Sequence, residues 1–130
     1  MILRRATCSC GRLSVVCTGE PTKISLCYCL NCQRRTGSTY GIAVFYKSED
    51  VCAQGETSRY ESNADSGQAV TFQFCPTCGS TVLWEPHRKP GIVAVALGSF
   101  ADSTFPAPTQ AVNAEDRHSW VCDPVAELNG

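Results

Sequence analysis

Charge of either sign, histidine and helical periodicity are all in short supply in this chain. Among 130 residues, eleven Lys and Arg face twelve Asp and Glu, giving a formal net charge of −1. So even a balance lacks the clustered basic surface that nucleic acid or an anionic membrane requires, and neither partner is expected. No apolar run approaches the length of a membrane span. Met1-Ile2-Leu3-Arg4-Arg5-Ala6-Thr7 carries two arginines without the apolar core of a secretory signal behind them, which predicts a cytoplasmic protein. The two histidines, His87 and His118, read as surface residues. The length suits one domain, taken as residues 1–130.

Cysteine, by contrast, is abundant, with ten in the chain. In a secreted protein they would suggest a disulfide framework. Without a signal segment they point to metal or to thiol chemistry. Spacing agrees, since Cys-x-Cys pairs bond each other poorly and three cysteines within Cys27-Tyr28-Cys29-Leu30-Asn31-Cys32 are better placed to share an ion.

Short strand-like runs fill most of the chain. They are expected over 12–18, 23–26, 40–46, 57–61, 69–74, 81–84 and 92–97, where branched and aromatic residues concentrate or alternate. One or two helical turns are expected over 29–36, ended by Gly37. Residues 47–55 read as a polar connection, with Cys52 unassigned. The Ser62-Asn63-Ala64-Asp65-Ser66-Gly67 stretch is a strong turn signal, 86–91 a loop, and Pro106-Ala107-Pro108 an irregular lead into the tail. About seven short strands with hardly any helical pattern predict an all-β domain. Cys17 falls on the Leu13/Val15 face of its strand and reads as a small buried hydrophobe.

In Cys8-Ser9-Cys10-Gly11, extended backbone turns both thiols to one side. Phe74-Cys75-Pro76-Thr77-Cys78-Gly79, between two strands, has the layout of a zinc knuckle. Cys8, Cys10, Cys75 and Cys78 together make a complete tetrahedral set for a structural zinc, tying the start of the chain to its middle. Separate ions at each pair are the less economical arrangement. Cys27, Cys29 and Cys32 remain. Three ligands and an exchangeable fourth position mark a catalytic zinc, so two zinc ions per chain are expected.

Three thiolates around a divalent ion leave about −1 of charge, a poor setting for generating hydroxide. Such a site suits an incoming thiol, which coordination deprotonates. Arg34 and Arg35 follow at once and match carboxylates of a small acidic ligand, although both also fit as solvated surface arginines. A fourth ligand from Cys52, Cys122, His87 or His118 would instead close a second structural site, and an unmetallated redox trio is a further reading. Iron or cadmium also suit thiolates, with zinc the default.

In these elements the sequence resembles the glutathione-dependent formaldehyde-activating family, which includes centromere protein V-like domains. The match runs through Cys8-Ser9-Cys10-Gly11, the stretch from Cys27 through Arg34-Arg35-Thr36-Gly37-Ser38, Phe74-Cys75-Pro76-Thr77-Cys78-Gly79-Ser80, and the tail around Trp120. The resemblance implies a β-tent, two antiparallel sheets meeting at an angle. It also implies a structural zinc on Cys8, Cys10, Cys75 and Cys78, with an active-site zinc on Cys27, Cys29 and Cys32. The activity it implies is that of a carbon–sulfur lyase joining a small thiol such as glutathione to an aldehyde, as in S-(hydroxymethyl)glutathione. Tyr28, Arg34, Arg35 and Trp120 are then the candidate substrate-binding residues, with Tyr28 the candidate proton donor by adjacency. This chain has Tyr28 where the family commonly has histidine, and Gln110-Ala111-Val112-Asn113 where a histidine is frequent.

Two other function classes compete. One is a non-enzymatic β domain that uses zinc only to hold a binding surface. The other is a methionine sulfoxide reductase-like enzyme with Cys122 as nucleophile, which would leave the Cys27/Cys29/Cys32 cluster without a role.

Overall fold

The computed structural model describes residues 1–63 and 68–129. Within them the branched and aromatic runs form ten strands: β1 Leu3–Thr7, β2 Ser14–Thr18, β3 Lys23–Cys27, β4 Gly41–Lys47, β5 Val51–Gln54, β6 Ser58–Asn63, β7 Ala69–Phe74, β8 Thr81–Pro86, β9 Ile92–Ala96 and β10 Gln110–Val112. Helix α1 spans Leu30–Thr36 and α2 spans Pro124–Asn129. Gly37, at φ 66°, terminates α1 in the left-handed conformation that glycine accepts without a Cβ penalty. The turn expected over 62–67 falls mostly outside the described residues.

The strands make two sheets. One is three-stranded, in the order β1-β2-β5, and the other seven-stranded, in the order β10-β3-β4-β9-β8-β7-β6. Neighbours pair antiparallel except β10, which lies parallel on β3. The all-β expectation holds, with that one parallel edge.

A single apolar cluster joins the sheets. Ala6, Leu13, Val15 and Cys17 come from the small-sheet side, and Val44, Tyr46, Val82, Val93 and Val95 from the large sheet. Each buried valine or leucine contributes roughly 1.5–3 kcal/mol. Cys8 and Cys75 belong to the same cluster, so the knuckles are rooted in the core.

Three elements differ from the sequence expectation. The supposed polar connection over 47–55 contains β5, whose Val16↔Cys52 pairing with β2 makes it an edge strand of the small sheet. Its outer residues are exposed, and its four residues, directly after the polar Ser48–Asp50 turn, are too few to show a strand period. The N-terminal residues form β1, with Ala6 the buried position. The tail contributes β10, whose three residues are too few to show any period.

The sheet topology positions the cysteine trio. Cys27 ends β3 and is paired with Gly41, which opens β4. The excursion between them carries Cys29, α1 and Cys32. On the other side, β10 places Val112 beside Cys27.

Candidate metal centres

The outer four sulfurs, of Cys8, Cys10, Cys75 and Cys78, all lie within 4.8 Å of one another. Cys8–Cys10 and Cys10–Cys75 are each 3.7 Å apart. A tetrahedron with 2.3 Å metal–sulfur bonds has edges of about 3.8 Å, so the donor set fits a tetrahedral thiolate-bound ion. A register shift in the β7–β8 pairing between Gln73 and Phe74 precedes Cys75 and re-aims the chain into the turn. Backbone amides then point at sulfur: Leu13 N–H donates to Cys8 Sγ at 3.2 Å and Thr77 N–H to Cys75 Sγ at 3.4 Å. Hydrogen bonds from the Ser80 hydroxyl and backbone pull the Cys78 thiol down to about 5. The two knuckles are also laced together, Ser9 N–H to Ser80 Oγ at 3.1 Å and Arg12 Nη1 to Thr77 Oγ1 at 3.1 Å.

Cys27, Cys29 and Cys32 form the second group, again with all sulfurs within 4.8 Å. Cys29 is the N-cap of α1 and accepts from Cys32 N–H at 3.3 Å, the role usually taken by an oxygen side chain. Cys27 Sγ accepts from Cys29 N–H at 3.5 Å and from Asn113 Nδ2 at 3.3 Å. Hydrogen bonding from Cys32, with further help from Cys29 N–H and Asn113 against the opposing effect of burial, brings the Cys27 thiol down to about 5. Cys32 moves the opposite way, chiefly because it donates to Cys27, and burial raises Cys29. The trio thus carries one thiolate readily, and ionising all three calls for a cation among them. That donor chemistry fits a metal ion. All three side chains are partly open to solvent.

Among the described residues no fourth histidine, cysteine or carboxylate joins the trio. Cys52 lies on β5 in the other sheet. His87 bonds Thr71 Oγ1 at 2.8 Å. The His118 ring packs 5.3 Å from that of Trp120, with its Nδ1 buried and unpartnered. Cys122 is exposed and outside both groups.

The proposed ligand-binding side chains divide. Arg34 is exposed, and Trp120 is 73% exposed. Arg35 folds back so that its guanidinium carbon lies 4.2 Å from the Trp84 ring centroid. Tyr28, expected as a substrate contact and candidate proton donor, lies away from the open side of the trio. The alternation that turns Cys27 and Cys29 to one side sends Tyr28 to the other, where it is fully buried and meets Tyr40 edge-on at 5.9 Å. Burial, then the nearby Asp123 carboxylate, raises its hydroxyl further from ionisation.

Sequence reasoning missed Asn113 and Gln33. Gln33 Nε2 donates to Tyr28 O at 2.9 Å and to Asp116 O at 3.1 Å, which ties the tail to the cysteine loop. Both contacts with the tail depend on the parallel docking of β10, and the sequence carries no local signal for it.

The family model described as glutathione-dependent formaldehyde-activating enzyme matches residues 3–123. No curated protein matches the chain. Among solved structures, a crystal structure of a Rhodobacter sphaeroides protein superposes with a TM-score of 0.58 at 21% identity, covering 73% of this chain and 85% of that one. At that identity the likeness speaks for the fold alone.

Proposed function

The chain belongs to the glutathione-dependent formaldehyde-activating family, and from that premise we propose that it is a zinc-dependent carbon–sulfur lyase acting on a thiol–aldehyde adduct such as S-(hydroxymethyl)glutathione. The observation that carries this reading is the three-sulfur cluster without a fourth protein ligand among the described residues. The outer four-sulfur group would hold a structural zinc, and Cys27, Cys29 and Cys32 a second zinc. When bound there, zinc supplies the Lewis acidity that keeps a substrate thiol deprotonated near neutral pH.

In the synthetic direction the thiol sulfur adds to the carbonyl carbon of formaldehyde. The carbon–sulfur bond forms, the carbonyl π pair moves to oxygen, and that oxygen takes a proton. The lyase direction reverses each change. Within the chain, Cys27, Cys29 and Cys32 fix the reacting locus, and the Asn113 amide holds the Cys27 sulfur in place. With Tyr28 buried, the proton reaches the oxygen from solvent on the open side of the trio. Arg34, Arg35 and Trp120 are the proposed contacts for the rest of the thiol. Ten unpaired thiols suit a reducing compartment such as the cytoplasm.

The uncatalysed addition is itself quick, so the test is exchange rather than yield. Two-dimensional exchange NMR of glutathione with formaldehyde should show faster interconversion with the metal-loaded protein, and Cys29→Ser should remove the gain. An exchange rate identical with and without protein would sink the reading.

A further inference from the structure

The large sheet ends in β10 on one side and β6 on the other, and the small sheet ends in β1 and β5. An edge strand presents unpaired backbone donors and acceptors on which another chain can pair, so monomeric proteins shorten, cover or charge such edges. β10 has three residues and β5 four, and β1 packs against the Leu97–Phe100 turn. β6 is the longest of these edges, with six residues, and its packing partner is β7. Its pairing with β7 runs unbroken from Ser58↔Phe74 to Asn63↔Ala69, with no bulge to twist the edge away. Neither lysine nor proline occurs in it.

The charges on β6 are arranged symmetrically. Arg59 and Glu61 flank Tyr60, and all three are exposed. Among the described residues neither charge is held in an ion pair, the one found being Arg4–Glu20. A strand carrying one sign of charge would repel a second copy of itself. Opposite charges on either side of a central residue do the reverse, because a two-fold axis through Tyr60 sets Arg59 of each copy against Glu61 of the other. Facing side chains in an antiparallel pair share one side of the sheet, so such an axis must pass through a residue. Centred on Arg59 the pairing would oppose two arginines, and centred on Glu61 two glutamates, both destabilising. Only the Tyr60 register satisfies both charges.

Tyr60 supplies the apolar content at that axis. It is 62% exposed and stands opposite Phe72, which stands opposite Trp84. The Phe72 and Trp84 ring centroids are 5.7 Å apart. An aromatic row therefore crosses β8, β7 and β6 on one face and stops at an open edge. A second copy would continue it, with Tyr60 against Tyr60.

We propose that β6 is a self-association edge, through which two copies of this chain pair antiparallel over residues 58–62 about a two-fold axis at Tyr60. The two large sheets then join as one. The interface uses the same patch on both copies, so association closes at a dimer. Cys27 ends β3, toward the opposite end of the sheet from β6, so both cysteine trios stay open in the dimer.

The test is sedimentation velocity of the metal-loaded full chain over a roughly hundredfold range of concentration, under reducing conditions that exclude intermolecular disulfides. The wild type should pass from monomer to dimer as concentration rises. Arg59→Glu and Glu61→Arg each set like charges face to face twice per dimer, and each should weaken association at least about tenfold. The double variant Arg59→Glu/Glu61→Arg restores opposite charges in the same register and should dimerise as the wild type does. Tyr60→Lys replaces a side chain exposed in the monomer, so it should keep the circular dichroism of the wild type while staying monomeric throughout. If Tyr60→Lys does not fold, the charge series alone decides. A wild type monomeric at every concentration, a dimer indifferent to either single reversal, a double variant no tighter than the singles, or a folded Tyr60→Lys that still dimerises would each overturn the proposal. No thiol substrate or aldehyde enters the measurement, so its outcome is independent of the reaction proposed above.

Discussion

Asn113 donates its side-chain amide to the sulfur of Cys27 at 3.3 Å, across 86 positions of sequence. It does so from a left-handed backbone, φ 59°, a conformation that asparagine tolerates better than most residues. Hydrogen bonds to ligand atoms orient them and tune their charge, and losing one typically costs 10–100-fold in metal affinity. Asn113→Gly should keep the backbone relaxed while losing the amide, and weaken metal binding at the trio by about tenfold. Asn113→Asp should be worse, since it sets a second negative charge against the thiolate. Chelator competition followed through the thiolate-to-cobalt charge-transfer band gives both affinities. Equal affinity in the wild type and in Asn113→Asp would remove Asn113 from the site.

The two metal centres should separate on mutation. Cys75 is buried in the core cluster and its group joins residues 65 positions apart, so binding there is coupled to folding. Cys75→Ser should lower the metal content and abolish the cooperative thermal transition. Cys29→Ser touches only the partly open loop around α1, and should lose one ion per chain while circular dichroism stays that of a folded β protein. Native mass spectrometry beside the thermal scans checks both outcomes. Loss of folding in Cys29→Ser would make the trio structural.

The contrast between these centres also shows where the sequence was informative. Within Cys8/Cys10 and within Cys75/Cys78 the partners are one turn apart, so backbone geometry alone confines their sulfurs. The strands flanking Cys75–Cys78 announce themselves by alternation. The same alternation at Cys27 and Cys29 requires that Tyr28 face away, a signal already present in the spacing. Asn113 and Arg35 are different. Asn113 meets Cys27 through a three-residue parallel edge strand, and Arg35 meets Trp84 through a chain reversal of some fifty residues. Neither contact leaves a local pattern, because tertiary docking alone brings the partners together. Strand β5 went unseen because its four residues follow directly on the polar Ser48–Asp50 turn and are too few to show an alternation.

Gly55 is the most constrained glycine near the outer centre. At φ +106°, its Cβ would come within 2.0 Å of Arg12 O and 3.0 Å of Arg12 C, both backbone atoms that cannot swing aside. Gly55→Ala should cost about 3 kcal/mol or more, because clash and left-handed strain act together. Displacing Arg12 also disturbs the neighbouring Leu13 amide that bonds Cys8 Sγ, so the variant should hold its outer metal less tightly. Gly11→Ala is the control. Gly11 has a similarly positive φ of +83° but nothing within 4 Å of the added carbon, and should cost only about 1 kcal/mol. Urea midpoints for the pair, measured with saturating metal, test the difference.

Cys17 provides a prediction that is independent of both metal centres. It is wholly buried on β2, and burial pushes its thiol up to about 11 from the ordinary 9.0, with Arg4 only partly opposing. The folded state therefore prefers the neutral thiol. Below pH 9 both states keep the proton and the full stability is present. Between pH 9 and about 11 the unfolded chain ionises Cys17 while the folded chain does not, so stability falls as pH rises through that window. The loss attributable to Cys17 should approach roughly 2 kcal/mol at the upper end, since each tenfold difference in proton affinity between the two states is worth about 1.4 kcal/mol. Tyr46, which burial also raises, titrates nearby, so the comparison must be with Cys17→Ala. That variant should begin slightly less stable, having lost a small buried side chain, and should decline less steeply above pH 9. Urea unfolding of both proteins at pH 8, 9, 10 and 11 measures the two slopes. Parallel slopes would mean that the Cys17 thiol ionises as easily in the folded chain as in the unfolded one.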